Sequence, residues 1–182
     1  LLQWDNIYYQ PPTQSIVEKR PTVRIGMVQW QMRPYHSIDD LFEQVEFFVD
    51  SVSDYKSDFI LFPEYFNAPL MARFNDMGEA QSIRAMAQYT EKIRDRFVEL
   101  AISYNINIIT GSMPFVKEDG ALYNVGFLCR RDGSYEMYEK IHVTPDEQKC
   151  WGLTGGSHVQ TFDTDCGKIG ILICYDVEFP EL

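Results

Sequence analysis

The sequence predicts an α/β protein built on a mixed β-sheet. Three observations lead there: apolar strand-like runs alternate with amphipathic stretches as far as residue 110, hairpin patterns take over from residue 122, and two stretches carry a single apolar stripe that must pack onto a sheet. Residues 1–22 come first, with Trp4, Tyr8, Tyr9, Pro11, Pro12 and Pro21 in no periodic order, and read as an extended lead-in or linker. The domain proper is expected to span residues 23–182, opening with a strand over 23–30. Ser37 then offers an N-cap with Asp40 three residues on, and Ile38, Leu41, Phe42, Val45, Phe48, Val49 and Val52 recur at helical steps. A buried strand is expected over 59–62, and a loop with short helix over 65–89. A second amphipathic helix follows over about 91–104, using Ile93, Phe97, Leu100, Ala101 and Tyr104, with Asn105 as its C-cap. Residues 106–110 return to strand. Two hairpins complete the chain: 122–130 with 135–142 around Arg131 to Ser134, and 159–164 with 168–174 around Asp165 to Gly167. Strand-helix-strand units followed by hairpins imply a sheet with helices on one face and something else covering the other.

Composition narrows the functional classes. Hydrophobic residues make up 45% and aromatics 14%, a globular balance. The net charge of −11 argues against nucleic acid or an anionic membrane as partner, since both are bound through clustered Lys and Arg; a small neutral or cationic ligand fits better. No stretch approaches the roughly 20 apolar residues that cross a bilayer, and the first residues, Leu1 to Asp5, lack a signal-peptide pattern. A cytoplasmic protein is expected. The cysteines at 129, 150, 166 and 174 have neither CxxC spacing nor a paired His motif, so no metal and no cofactor is expected, and the thiols are read as reduced.

Chemistry concentrates at three strand ends. Cys174 closes the run from Gly170, where a strand gives way to a polar turn whose backbone N–H groups, that of Tyr175 first, can meet an oxyanion. Glu64 follows the run Phe59 to Pro63, and Lys140 follows the alternating segment Tyr135 to Glu139. A thiol needs a base or a cation to become nucleophilic; Glu64, with its pKa raised by burial among Phe59, Ile60, Phe62 and Phe66, can be the base and Lys140 the cation. Taken singly, each has an ordinary role: Cys174 in a core, Glu64 as a helix cap, Lys140 as a solvated charge. A Cys-His enzyme with His142 or His158 as base is the alternative, although nothing in the sequence places either histidine at Cys174.

The segments Phe62 to Phe66, Tyr138 to Glu147 and Gly167 to Asp176 resemble, in order and in separation, the three signature blocks of the nitrilase superfamily of carbon-nitrogen hydrolases. The resemblance covers Val23 to the last residue. It implies an α-β-β-α sandwich in which a Glu-Lys-Cys triad hydrolyses non-peptide carbon–nitrogen bonds, most often amides, through a thioester. Glu64 then matches the base, Lys140 the oxyanion cation, Cys174 the nucleophile and Glu147 a second glutamate that holds the site's geometry, with a loop surface charge as the alternative for Glu147. Tyr123 and Asn124 resemble a family segment near the pocket and are read first as structural, with Asn124 bonding backbone. Many relatives carry Arg where Glu178 stands, so an acidic rim suited to an amine-bearing amide is expected there. The resemblance further implies a small-molecule amide substrate and a homo-oligomer, a dimer or larger. Family members continue for about another hundred residues, which makes this chain the N-terminal portion of the domain, with its C-terminal part missing. The lead-in also resembles relatives with an acetyltransferase-like domain upstream. Two alternatives stay open within the same fold: a non-catalytic scaffold, and an acyltransferase using the same triad.

Overall fold

Helix α1, Ile38–Asp54, starts where the capping box predicts it. In the computed structural model, which describes residues 22–182, Ser37 Oγ accepts from the Asp40 N–H at 3.1 Å and Asp40 Oδ2 accepts from the Ser37 N–H at 3.1 Å. Two N–H groups that would otherwise lack partners are thereby satisfied. The predicted lead-in lies, apart from Thr22, outside the described residues. Ile38, Leu41, Val45 and Val49 form the buried stripe of α1. The segment 65–89 is more helical than its scattered polar residues suggest: a 3-10 helix Ala68–Phe74, helix α2 Glu79–Met86, and a 3-10 turn Ala87–Tyr89 that runs into helix α3, Thr90–Ser103. The predicted cap of α3 falls one residue late. Tyr104 caps the helix, and Asn105 takes the left-handed φ of 50° that Asn tolerates better than most residues. Among the described residues no helix is long and apolar enough to cross a membrane.

The helices cover one face of a six-stranded mixed sheet. Strands β1 (Ile25–Met27), β2 (Phe59–Leu61) and β3 (Asn107–Ile109) are parallel neighbours. The long strand β5, Leu122–Cys129, runs antiparallel to β3 and to β4 (Met113–Val116) along one side, and to β6 (Tyr135–Glu139) along the other. Side chains alternate between two cores, as a pleated strand buried on both faces requires. Ile60, Ile108 and Phe127 face α1 and α3, whereas Phe59, Ile109, Leu128 and Tyr138 face the other way. There they meet Phe162 of β7 (Thr161–Thr164) and Ile169 of β8 (Gly167–Gly170), a separate two-stranded sheet. The layers are therefore helix, sheet, sheet. A second helical layer is not present among the described residues.

Strand β4 is not among the strands expected from the sequence; it follows Gly111 and contains Pro114, two residues that weaken a strand pattern. Register explains how both are accommodated. Ile109 pairs with Leu128 and Met113 with Val125, so β3 and β4 are halves of one strand separated by a bulge with one extra residue at Gly111 and Ser112. Gly111 has φ 72°, and a Cβ there would lie 2.1 Å from the Pro63 carbonyl oxygen. The facing position is also glycine: a Cβ on Gly126 would sit 2.0 Å from the Gly111 oxygen. Gly111→Ala is expected to destabilise the protein by about 2–4 kcal/mol, from left-handed strain plus a backbone clash that no rotamer relieves. An unchanged urea midpoint for this variant would show that the bulge can be rebuilt at no cost.

Candidate active site

Three side chains converge because β2 and β6 run in the same direction and end at the same edge of the sheet. Past β2, Glu64 forms a parallel bridge with Ser112 of the bulge, and the Tyr65 N–H donates to the Ser112 carbonyl at 2.8 Å. Past β6, the Lys140 N–H donates to the Asn124 carbonyl at 2.9 Å. The third segment, Ile171 to Ile173, departs from expectation. Pairing of β8 stops at Gly170, and the residues beyond it have no ladder partner among the described residues. Cys174 then opens a 3-10 turn, Cys174–Glu178, with φ 48°, a left-handed conformation that is strained for any residue with a Cβ. Tyr65, beside Glu64, is strained in the same way at φ 52°.

Lys140 is the centre of the cluster. Its side chain is 1% exposed, and its ammonium donates to Glu64 Oε1 at 2.8 Å and to Glu147 Oε1 and Oε2 at 2.8 and 2.9 Å. Burial alone would pull the lysine's pKa down, but the hydrogen bonds and charges of Glu147 and Glu64 outweigh it and hold it above the usual range. Glu147 is buried, and its burial is likewise outweighed, by Lys140 and by the Thr144 N–H at 2.7 Å, so its carboxyl lies below the usual range. The loop-surface alternative for Glu147 is thus not what is seen. A signal was available: Thr144-Pro145-Asp146-Glu147 has the spacing of a capping box, and Thr144 Oγ1 does accept from the Glu147 N–H at 3.2 Å.

The aromatic residues expected to enclose Glu64 lie in the two cores instead, Phe62 and Phe66 packing with Trp30 and Phe97. Its carboxylate has polar company. Asn124 Nδ2 donates to Glu64 Oε1 at 2.8 Å, the same oxygen that Lys140 contacts. Asn124 is therefore a side-chain partner of Glu64 rather than only a backbone-bonding residue. The Tyr65 hydroxyl, whose pKa burial and then the charge of Glu147 push well up, donates to Glu147 Oε1 at 3.1 Å. Neither contact was read from the sequence.

Cys174 is exposed, and it shares a cavity of about 190 Å³ with Glu64, Ser112, Tyr138 and Ile173. Its thiol is raised above the ordinary value, by burial first and then by the neighbouring Glu64 carboxylate, with Lys140 and the Tyr175 N–H pulling the other way. The resting group is thus a thiol that shares its cavity with the Glu64 carboxylate. Cys129, pushed up to about 12 by burial, and Cys166, up to about 11 from burial and Asp165, are poorer candidates. His142 is engaged elsewhere: its Nδ1 lies 3.2 Å from Asp176 Oδ1 and its ring stacks on Phe179 at 3.5 Å. His158 contacts Ser157. Among the described residues neither histidine hydrogen-bonds Cys174, and no cluster of His, Cys, Asp and Glu has the make-up of a metal site. A larger furrow of about 910 Å³ lies elsewhere, lined by Arg84, Glu91, Phe115, Lys117 and Asp119, and holds none of the converging side chains.

With this geometry in place, the sequence profile of one family, Carbon-nitrogen hydrolase, matches residues 24–182. The chain belongs to the carbon-nitrogen hydrolase family. It is 44% identical over its whole length to the "Probable hydrolase YhcX" of Bacillus subtilis, of which it covers 36%. It is 30% identical over 87% of its length to the human "Omega-amidase NIT2", of which it covers 57%. In fold it resembles Nit3 of Saccharomyces cerevisiae, a member of branch 10 of the nitrilase superfamily, with a TM-score of 0.72 at 21% identity over 87% of this chain and 58% of that one. The nitrilase-type α/β fold expected from the sequence is therefore the observed one. The chain spans between about a third and three fifths of the length of these relatives.

Proposed function

We propose that the protein carrying this chain hydrolyses non-peptide carbon–nitrogen bonds, amides above all, with Cys174 as nucleophile, Glu64 as general base and acid, and Lys140 as oxyanion cation. One observation carries the reading: a buried ammonium held between two carboxylates, one of which lines the same cavity as a strained, exposed thiol. Lys140 and Asn124 both contact Oε1 of Glu64, which leaves Oε2 to take the thiol proton. Sulfur attacks the amide carbonyl as that proton moves. The Tyr175 N–H and Lys140 then hold the oxyanion.

The resting hydrogen bonds supply a reason for timing. The ammonium is engaged by both carboxylates before substrate arrives, by Glu64 Oε1 and by the two oxygens of Glu147. Once Glu64 is protonated it becomes a weaker acceptor, so the ammonium is released toward the substrate oxygen just as negative charge appears there. That is stabilisation made in the transition state and withheld from the ground state. Collapse of the intermediate breaks the carbon–nitrogen bond, and Glu64 returns its proton to the departing ammonia or amine. Water, deprotonated by Glu64, next attacks the thioester; the second intermediate expels the Cys174 sulfur, which recovers the proton. Glu147 takes no proton in this scheme and keeps Lys140 in place.

The test is ammonia release by the complete protein from a panel of small amides, with acid quenching during turnover and peptide mapping of the acyl adduct. Acyl mass on Cys174 is expected. The exposed Glu178 favours amides bearing an amine over those bearing a second carboxylate. No ammonia from any amide, or an adduct on another residue, would refute the assignment.

A further inference from the structure

Asp176 takes no part in the scheme above, yet it is 1% exposed, and a carboxylate is not buried without donors to receive. It has four. Its Oδ1 accepts from the His142 N–H at 2.7 Å and lies 3.2 Å from His142 Nδ1; its Oδ2 accepts from the Ile141 N–H at 3.2 Å and the Ile173 N–H at 3.3 Å. These donors come from two segments far apart in sequence, and their positions are telling. Ile141 directly follows Lys140, and Ile173 directly precedes Cys174. Both stretches lie beyond the last paired residue of their strands among the described residues; Lys140 itself is still held by the Asn124 carbonyl at 2.9 Å and the Gly156 N–H at 2.8 Å, whereas the Ile141, His142 and Ile173 N–H groups turn to Asp176.

We propose that Asp176 is a positioning residue that sets the distance between nucleophile and cation, its one carboxylate tying the backbone after Lys140 to the backbone before Cys174. The inference rests on the amidase reading above and adds to it the device that aligns its two central groups. Three further features agree. The Asp176 N–H donates back to the Ile173 carbonyl at 3.0 Å, closing the turn around Cys174. The φ of 48° at Cys174 is a conformation that persists only where surrounding bonds over-determine it. The carboxylate's remaining neighbour, the His142 ring, is itself fixed by stacking on Phe179 with an interplanar angle of 7°. Charge-assisted bonds to backbone N–H groups suit such a clamp, the one from His142 short at 2.7 Å and those from Ile141 and Ile173 longer at 3.2 and 3.3 Å, and a misplacement of about 1 Å at a reacting pair can lower rates by roughly a hundredfold.

Iodoacetamide, itself a small amide, tests this in the complete protein, with each cysteine followed by mass spectrometry. In the parent, Cys174 is expected to react at least about tenfold faster than Cys150, the other exposed cysteine, because Glu64 would take its proton as the sulfur attacks and so offset the raised resting thiol. In Asp176→Asn, which keeps the shape and loses the charge, Cys174 is expected to slow by at least about tenfold. Cys129, fully buried, reports on the fold within the same sample. Cys174 slowed with Cys129 still protected supports positioning. A Cys174 rate within about twofold of the parent overturns it, and so does Cys129 becoming reactive, since Asp176 then merely holds the structure together. Native-state hydrogen exchange on the unaltered protein tests the clamp without any variant. The Ile141, His142 and Ile173 amides are expected to exchange slowly and as one group; fast or unrelated exchange overturns the clamp. A parent in which Cys174 is no faster than Cys150 strikes at the amidase reading instead, leaving the exchange result to decide the clamp.

Discussion

Cys174→Ala is expected to abolish amide hydrolysis while leaving the protein folded. The loss should exceed about a thousandfold in kcat, because the proposed thioester needs a thiol beside Glu64, and among the described residues that line the cavity Cys174 supplies it. Retained folding follows from local structure. The residue is exposed, and alanine meets the same left-handed strain at φ 48° as cysteine does, so that term cancels between parent and variant. Stability within about 0.5 kcal/mol of the parent is expected. Ammonia release and urea unfolding on the same preparation check both statements. Turnover at the parental rate would move the nucleophile elsewhere, whereas lost folding would make the activity result uninformative about chemistry and would contradict the stated exposure of Cys174.

Cys174, the proposed nucleophile, stands out in the sequence because its signal is local: an apolar run, a thiol, a polar turn. The same holds for α1, whose cap and stripe lie within 17 residues of one another, and for the β5–β6 hairpin. What the sequence did not yield are pairings between distant residues. Asn124 reaches Glu64 across 60 positions and Tyr65 reaches Glu147 across 82, and neither spacing leaves a trace in periodicity. Strand β4 was lost for a different reason. Gly111 and Pro114 carry breaker signals, and those signals are real, since they mark a bulge and an outer strand of the sheet rather than a loop. Asp176 combines both difficulties. Within its own turn it reads as a short polar residue after a strand, and only folding brings its carboxylate to the residue after Lys140.

Lys140→Met should show both what the ammonium does for catalysis and what its burial demands of the fold. Loss of the oxyanion cation is expected to lower kcat by at least the hundred- to thousandfold, about 3–4 kcal/mol, typical of one lost oxyanion donor. Stability should fall by about 3–5 kcal/mol, because Glu64 and Glu147, which both touch the same nitrogen at 2.8 Å, are left facing each other without a counter-charge. The pH dependence gives the sharper sign. In the parent, Lys140 is held above its ordinary 10.5, so its contribution is complete below that value and disappears as pH rises through the folded pKa. Glu147 is held below its ordinary 4.5, so its contribution is present above that value and disappears as pH falls through the folded pKa. The parent should therefore gain nothing from this cluster on acidification between those limits. In the variant the two carboxylates repel, their folded pKa values rise, and the folded state binds a proton that the unfolded state does not. Acidifying Lys140→Met from pH 8 toward pH 5 should then raise its melting temperature relative to the parent's over the same range. A parallel fall in both proteins would mean that the two carboxylates do not share a buried site, and the ammonium between them would lose its role as the organising charge.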